Sequence, residues 1–323
     1  MQGVRFVVST CYRDQSVSLL IMLRIALLTT VLLFAGCARS PEQVTLRQAN
    51  KLLDEGQIRA AADVVESYLR EHPDSAPLLR LRVVLLLRAE KPDLAAIALR
   101  QVPPGMSLTA ELLRHRDRIV RVNAAKLIAD QPNAGDFREI VRALEDSDPE
   151  VRRDCARALG QLANPAALKP LFRLLSDDNW FVRAEAAIAL GKIGDTRAIG
   201  WLIQLLGDPD GYVRYSATGA LCDLATAASH PLLRRALAVT TPANQFGIAV
   251  ALARLHDPAA LAPLAGAVKN NDVEIRRRAV EALGECGLAE GTNALAIFLM
   301  DPDPAVREQA REAIGRIQTQ RQP

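Results

Sequence analysis

The stretch Asp148-Pro149-Glu150-Val151-Arg152-Arg153-Asp154-Cys155-Ala156-Arg157-Ala158-Leu159 decides the fold, because 31 residues later the chain repeats its plan as Asn179-Trp180-Phe181-Val182-Arg183-Ala184-Glu185-Ala186-Ala187-Ile188-Ala189-Leu190. Each copy opens on a side chain suited to cap a helix, continues with apolar residues at helical spacing, and carries a β-branched residue followed by arginine. Working outward, the same pair recurs as Val120-Arg121, Val213-Arg214, Ile275-Arg276 and Val306-Arg307. Successive pairs stand 31 residues apart except for one gap of 62, whose midpoint is Asn244-Gln245. Eight residues beyond the β-branched position a second apolar landmark follows: Ile128, Leu159, Leu190, Leu221, Leu252, Leu283 and Ile314. Seven units therefore share one register, and the unit at Asn244 keeps its apolar core while losing the signature.

Each unit also contains an earlier apolar helix, anchored for example by Leu171, Leu174 and Leu175, then by Leu202, Leu205 and Leu206. Asp, Asn, Pro and Gly separate the two helices, and Asp148-Pro149 and Asp303-Pro304 place a capping carboxylate before a proline at the first helical position. The unit is a helical hairpin that cannot cover its apolar face alone, so neighbours must stack. The expected fold class is all-α, an α-solenoid of seven helical hairpins over residues 105–319. This pattern resembles HEAT repeats, especially the short HEAT-like repeats of the bilin-lyase type. The resemblance implies a scaffold whose second helices line the concave surface.

Each signature arginine has an aspartate four residues earlier in five units (Asp117, Asp148, Asp210, Asp272, Asp303), and Asn179 in the unit of Arg183. Paired at this spacing, the charges are expected to neutralise one another and tie adjacent repeats together rather than to form an anion-binding track.

In the second helix of each hairpin, the residues two and six beyond the β-branched anchor share the more exposed stripe. At the ends of the array this stripe is mostly charged, as at Arg153/Arg157 and Glu308/Glu312, but in the middle units it is apolar. Ile188, Tyr215, Phe246 and Val250, with Trp180, Phe181 and Tyr212 from the preceding loops, are the candidate patch for a protein or peptide partner.

Before the array, Gly56, Ile58, Ala61, Val65, Tyr68 and Pro73 fall at offsets that resemble a tetratricopeptide repeat, where Gly and Ala let two helices approach closely and Pro stops the second. Advancing by that family's period places Ala61 on Ala95 and Val65 on Leu99, while the glycine becomes Glu90. Residues 44–102 are read as two such hairpins, ended by Pro103-Pro104-Gly105.

The N-terminus reads as an address. Leu19 to Gly36 is mostly apolar and ends in Leu33-Phe34-Ala35-Gly36-Cys37, which resembles the signal peptide and lipobox of bacterial lipoproteins, with Phe34 where that family prefers Leu. Met22 followed by Arg24 and the run Ile25 to Phe34 makes a compact signal, so residues 1–36 are expected to be removed, with Met22 as the true start and residues 37–43 as a tether. The resemblance implies acylation of Cys37, and Ala38 after it points to the outer membrane, facing the periplasm.

Residues 1–36 carry a net charge of +2, so the remaining chain falls from +3 to +1. That is too little positive charge for a nucleic-acid surface. The five cysteines and four histidines are scattered without metal-ligand spacing, and Cys155 and Cys222 sit at apolar helical positions as small buried side chains. No Gly-rich phosphate loop or nucleophile elbow is present, and no cofactor or small-molecule substrate is inferred. Relatives of the resembled family include bilin lyases, di-iron hydroxylases and a DNA-binding protein. The hydroxylase chemistry needs His-Glu pairs, and this chain has no His-Glu dipeptide. The expected function is a non-catalytic, lipid-anchored scaffold or adaptor holding a protein partner, with a bilin-lyase-like enzyme or accessory chaperone as the alternative.

Overall fold

The computed structural model describes residues 40–103 and 108–319, and among them every regular element is a helix. The signal segment, Met22 and Cys37 lie outside the described residues. The chain divides into two compact bodies, residues 1–104 and 105–323.

The first body holds two helical hairpins, α1 (Pro41–Asp54) with α2 (Ile58–Glu71) and α3 (Ala76–Arg88) with α4 (Pro92–Leu99). Helix α1 begins three residues before the expected start at Val44. Ser40 caps it, its Oγ accepting the Gln43 N–H at 3.2 Å, and Pro41 sits at the first turn, so residues 40–43 belong to the helix start rather than to a tether. Ala61, Val65 and Ala95 are buried, and Leu99 is half-buried. Gly56 serves a different purpose from the expected close approach. A Cβ there would meet nothing, but its φ of +77° is the left-handed turn that ends α1. Glu90, its counterpart in the second hairpin, takes the same conformation at φ 57°.

The second body is the array. Its seven hairpins are α5 (Thr109–Leu113) with α6 (Arg118–Asp130), α7 (Phe137–Ala143) with α8 (Pro149–Leu162), α9 (Leu168–Leu174) with α10 (Trp180–Ile193), α11 (Ile199–Leu205) with α12 (Gly211–Asp223), α13 (His230–Val239) with α14 (Pro242–Ala253), α15 (Leu261–Gly266) with α16 (Val273–Cys286), and α17 (Ala289–Ala296) with α18 (Pro304–Thr319). Leu159, Leu190, Leu221, Leu252 and Leu283 are fully buried, as are Leu171 and Leu202 from the first helices. Each such side chain contributes about 1.5–3 kcal/mol relative to an exposed one.

Second helices stack most closely where glycine meets alanine. A Cβ on Gly160 would lie 2.7 Å from the Ala189 Cα, and one on Gly191 would lie 2.8 Å from the Ala220 Cα. In the next two units the position of these glycines holds Cys222 and Ala253, so this glycine–alanine contact is not repeated there.

The arginine ladder pairs differently from the expectation. The aspartates four residues earlier cap their own helices: Asp148 accepts the Glu150 N–H at 2.8 Å and Asp272 the Glu274 N–H at 2.9 Å. The ion pairs run instead to an aspartate 25 residues on, in the next unit: Arg121 to Asp146, Arg152 to Asp177, Arg183 to Asp208 and Arg276 to Asp301, at 2.7–2.9 Å. A capping carboxylate points back over the first turn, so it is turned away from the helix face that carries the arginine. The repeats are tied together as expected, but through a rung that crosses the interface.

Among the described residues no helix is long and apolar enough to cross a membrane.

Candidate functional site

The fifth unit breaks the ladder on both sides. The rung position is Asp146, Asp177, Asp208 and Asp301 in the paired units, but Val239 and Asn270 where units five and six begin their second helices. In units two, three, four and seven the rung aspartate also accepts the N–H two residues on, making the turn into the second helix, as Asp177 does for Asn179 at 2.9 Å. Val239 cannot make that turn, and it is instead the last residue of α13. The arginine of unit five is Gln245, whose amide reaches the carbonyls of Leu237 and Thr240 but no carboxylate.

With both rungs missing, the space between units four, five and six opens into a cleft of about 900 Å³. Tyr212, Tyr215 and Phe246 line it, along with Arg214, Lys269 and Arg278. Its floor is tight against unit four, because a Cβ on Gly247 would lie 2.5 Å from a Leu206 methyl and 2.8 Å from the Thr218 hydroxyl.

Leading to the cleft is a ribbon of rings. Trp180 meets Phe181 edge-on at 4.9 Å and Tyr212 at 5.6 Å, Phe181 stacks with Tyr212 at 6.2 Å, and Tyr212 with Tyr215 at 6.3 Å. Arg153 lies over Phe181 at 5.1 Å and Arg278 over Tyr215 at 4.2 Å, so a cation covers each end. All four rings are exposed, Tyr215 at 52% and Tyr212 at 48%. Their origin is local: Phe181 and Tyr212 hold the same register position one repeat apart, at the first turns of α10 and α12, so stacking the repeats stacks the rings.

Of the residues singled out from the sequence, Trp180, Phe181, Tyr212 and Tyr215 thus form one continuous surface, and Phe246 joins it as a half-buried wall of the cleft. Ile188 is half-buried and does not line the cleft. Val250 is corrected: it is only 8% exposed and belongs to the core, on the same helix as Gly247, which packs against Leu206 and Thr218 of unit four. Arg214, Lys269 and Arg278 were not anticipated. The substitution of Val239 for a rung aspartate was the signal that would have found Arg214.

Elsewhere the titratable groups are structural. Asp257, almost fully buried, is pushed up by burial but brought below the usual carboxylate range by the Ala259 N–H, by His230 Nε2 at 2.5 Å and by Arg234. It caps the turn into α15. His256 Nδ1 lies 3.0 Å from the Cys286 carbonyl in a turn with φ 54°. Burial raises the Cys155 and Cys286 thiols, and pushes Cys222 up to about 11, which keeps all three protonated near neutrality. Among the described residues no group of His, Cys, Asp and Glu converges as a metal site.

Four overlapping stretches, residues 106–171, 137–222, 199–284 and 267–323, match the family model for HEAT repeats. The chain belongs to the HEAT-repeat family. No curated protein matches it. Among solved structures, this HEAT-repeat protein is similar to the CpcE–CpcF complex of phycocyanin lyase from Nostoc sp. PCC7120, at 24% identity over 67% of this chain and 96% of that one, with a TM-score of 0.40. It is similar also to a HEAT-like repeat protein from Thermococcus onnurineus NA1, at 17% identity over 76% and 97%, with a TM-score of 0.43. Computationally designed armadillo repeat proteins for modular peptide recognition match at 19% identity over 64% and 98%, with a TM-score of 0.40. At these values none of the three bears on function.

Proposed function

We propose that this HEAT-repeat protein is a non-catalytic scaffold that holds an extended segment of a partner protein along the aromatic ribbon and in the cleft of unit five. The observation that carries the reading is the meeting of four exposed rings, each in contact with another, with an open cleft where the arginine–aspartate rungs are lost. Exposed rings in contact offer area without the entropy cost of ordering flexible side chains, which suits them to anchor a partner. We further propose that the chain is lipid-anchored through Cys37 in the bacterial envelope, at the outer membrane facing the periplasm. The signal-like segment ending in Leu33-Phe34-Ala35-Gly36-Cys37 supports this.

The double variant Tyr212→Ala/Tyr215→Ala tests the site. Both rings are exposed, so the melting midpoint is expected to hold while the proteins crosslinked to the chain in envelope extracts are lost. An unchanged crosslinking pattern would overturn the site. Metabolic labelling with a fatty-acid probe, absent in Cys37→Ser, is the expected result for the anchor.

A further inference from the structure

In a complete rung the guanidinium is held from two sides. Arg183 Nη1 donates to the carbonyls of Asp177 and Asp178 at 2.8 and 3.2 Å, while Nε and Nη2 donate to the two carboxylate oxygens of Asp208 at 2.7 and 2.9 Å. Arg152 and Arg276 are held the same way. The carbonyl grip orients the planar group, and the carboxylate then meets an edge already in place.

Arg214 keeps one half of this arrangement. Its Nη1 donates to the Asp208 and Pro209 carbonyls at 2.8 and 2.9 Å. The other half is missing, because Val239 stands at the rung position, and Arg214 has no ion pair among the described residues. The Asp208 carboxylate beneath it is committed to Arg183. Of the acids on the far wall, Asp272 caps α16 and Glu274 faces Arg277 at 3.6 Å, whereas Lys269 and Arg278 add positive charge to the same cleft.

We propose that Arg214 is the receptor for an aspartate side chain of a partner polypeptide, which enters the cleft by completing the rung that the chain does not supply. This rests on the reading of the cleft as the partner site. Aspartate is specified because all four complete rungs use it, each in an Asp-x-Asp or Asp-x-Asn turn that returns a backbone N–H to its own carboxylate. The guest is therefore an aspartate at a turn, with its flanking residues laid on Tyr212 and Tyr215.

The chain's own sequence provides a probe. A fluorescently labelled peptide with the sequence of residues 299–305, Leu-Met-Asp-Pro-Asp-Pro-Ala, carries the rung aspartate of unit seven. Titrated with the full chain in detergent, it is expected to bind saturably. Asn in place of the aspartate corresponding to Asp301, or Arg214→Gln in the protein, should weaken binding roughly ten- to a hundredfold. Arg307, in the last unit, has the same carbonyl grip on Asp301 and Pro302 without aromatic neighbours, and Arg307→Gln should change nothing. Loss of binding with Arg307→Gln instead, equal binding of the Asn peptide, displacement by millimolar inorganic phosphate, or no binding to the wild-type chain would each overturn the proposal. If Tyr212→Ala/Tyr215→Ala abolishes binding and Arg214→Gln does not, the aspartate receptor falls and the cleft reading stands. If the peptide binds the wild-type chain and neither variant alters it, both fall.

Discussion

The rung aspartates couple two tasks in one carboxylate, since each accepts the N–H that turns the chain into its second helix and the guanidinium of the preceding unit. Burial pushes Asp177, Asp208 and Asp301 up, but the arginine and the backbone N–H outweigh it and hold all three below the usual carboxylate range. A carboxyl whose folded value is depressed contributes stability in full above its unfolded value, near 3.9, and loses it as pH falls through the folded value. Urea midpoints are therefore expected to stay level above about pH 5 and to drop steeply below about pH 4. Asp208→Asn should lower the neutral-pH stability by about 1–3 kcal/mol and flatten the acid limb, because a half-buried guanidinium loses its charged acceptor. The sequence suggested the wrong acid for each arginine, since four-residue spacing is a helix pairing rule and the capping position sits just outside the helix it starts. The spacing of 25 was equally present in the sequence, but only the stacking of one hairpin on the next makes it a distance.

At the scale of the helix, caps and prolines placed most of the boundaries. Asp148-Pro149 and Asp303-Pro304 begin α8 and α18, and the Leu pairs of the first helices are buried where the periodicity put them. The short first helices were harder to bound, because four of them, α7, α9, α11 and α15, are preceded by a tight turn capped by Asn133, Asn164, Asp195 or Asp257, again 31 residues apart or a multiple of it. In the first body, Glu90 occupies a left-handed position that Gly56 fills in the preceding hairpin. A side chain there costs about 1 kcal/mol relative to glycine. Glu90→Gly is expected to raise the stability of that body by about this amount, read as a shift of the melting midpoint; a destabilised variant would mean that the carboxylate contributes more than the backbone costs.

Across the whole array, stability is a sum of hairpins and of the interfaces between neighbours. The interfaces among units two, three and four have both the glycine–alanine approach and the rung, and those flanking unit five have neither. Gly191→Ala should remove about 1–3 kcal/mol, since its Cβ meets backbone rather than a flexible side-chain end. Hydrogen exchange should find α14 less protected than α10, and equal protection would contradict the idea that the interfaces around unit five are weak. The fold could be read because its pattern is repeated, whereas the cleft could be read only in part, because it is made of departures from that pattern. The exposed rings stand out by residue type, whereas Arg214 matches the other signature arginines and differs from Arg121, Arg152, Arg183 and Arg276 in having Val239 where they have an aspartate 25 residues on. In a one-dimensional chain of nearest-neighbour couplings, two adjacent weak links split the molecule into blocks that melt separately. A guest bridging the gap would act as a splice, merging two melting steps into one, so that occupancy of this protein can be followed by its cooperativity alone.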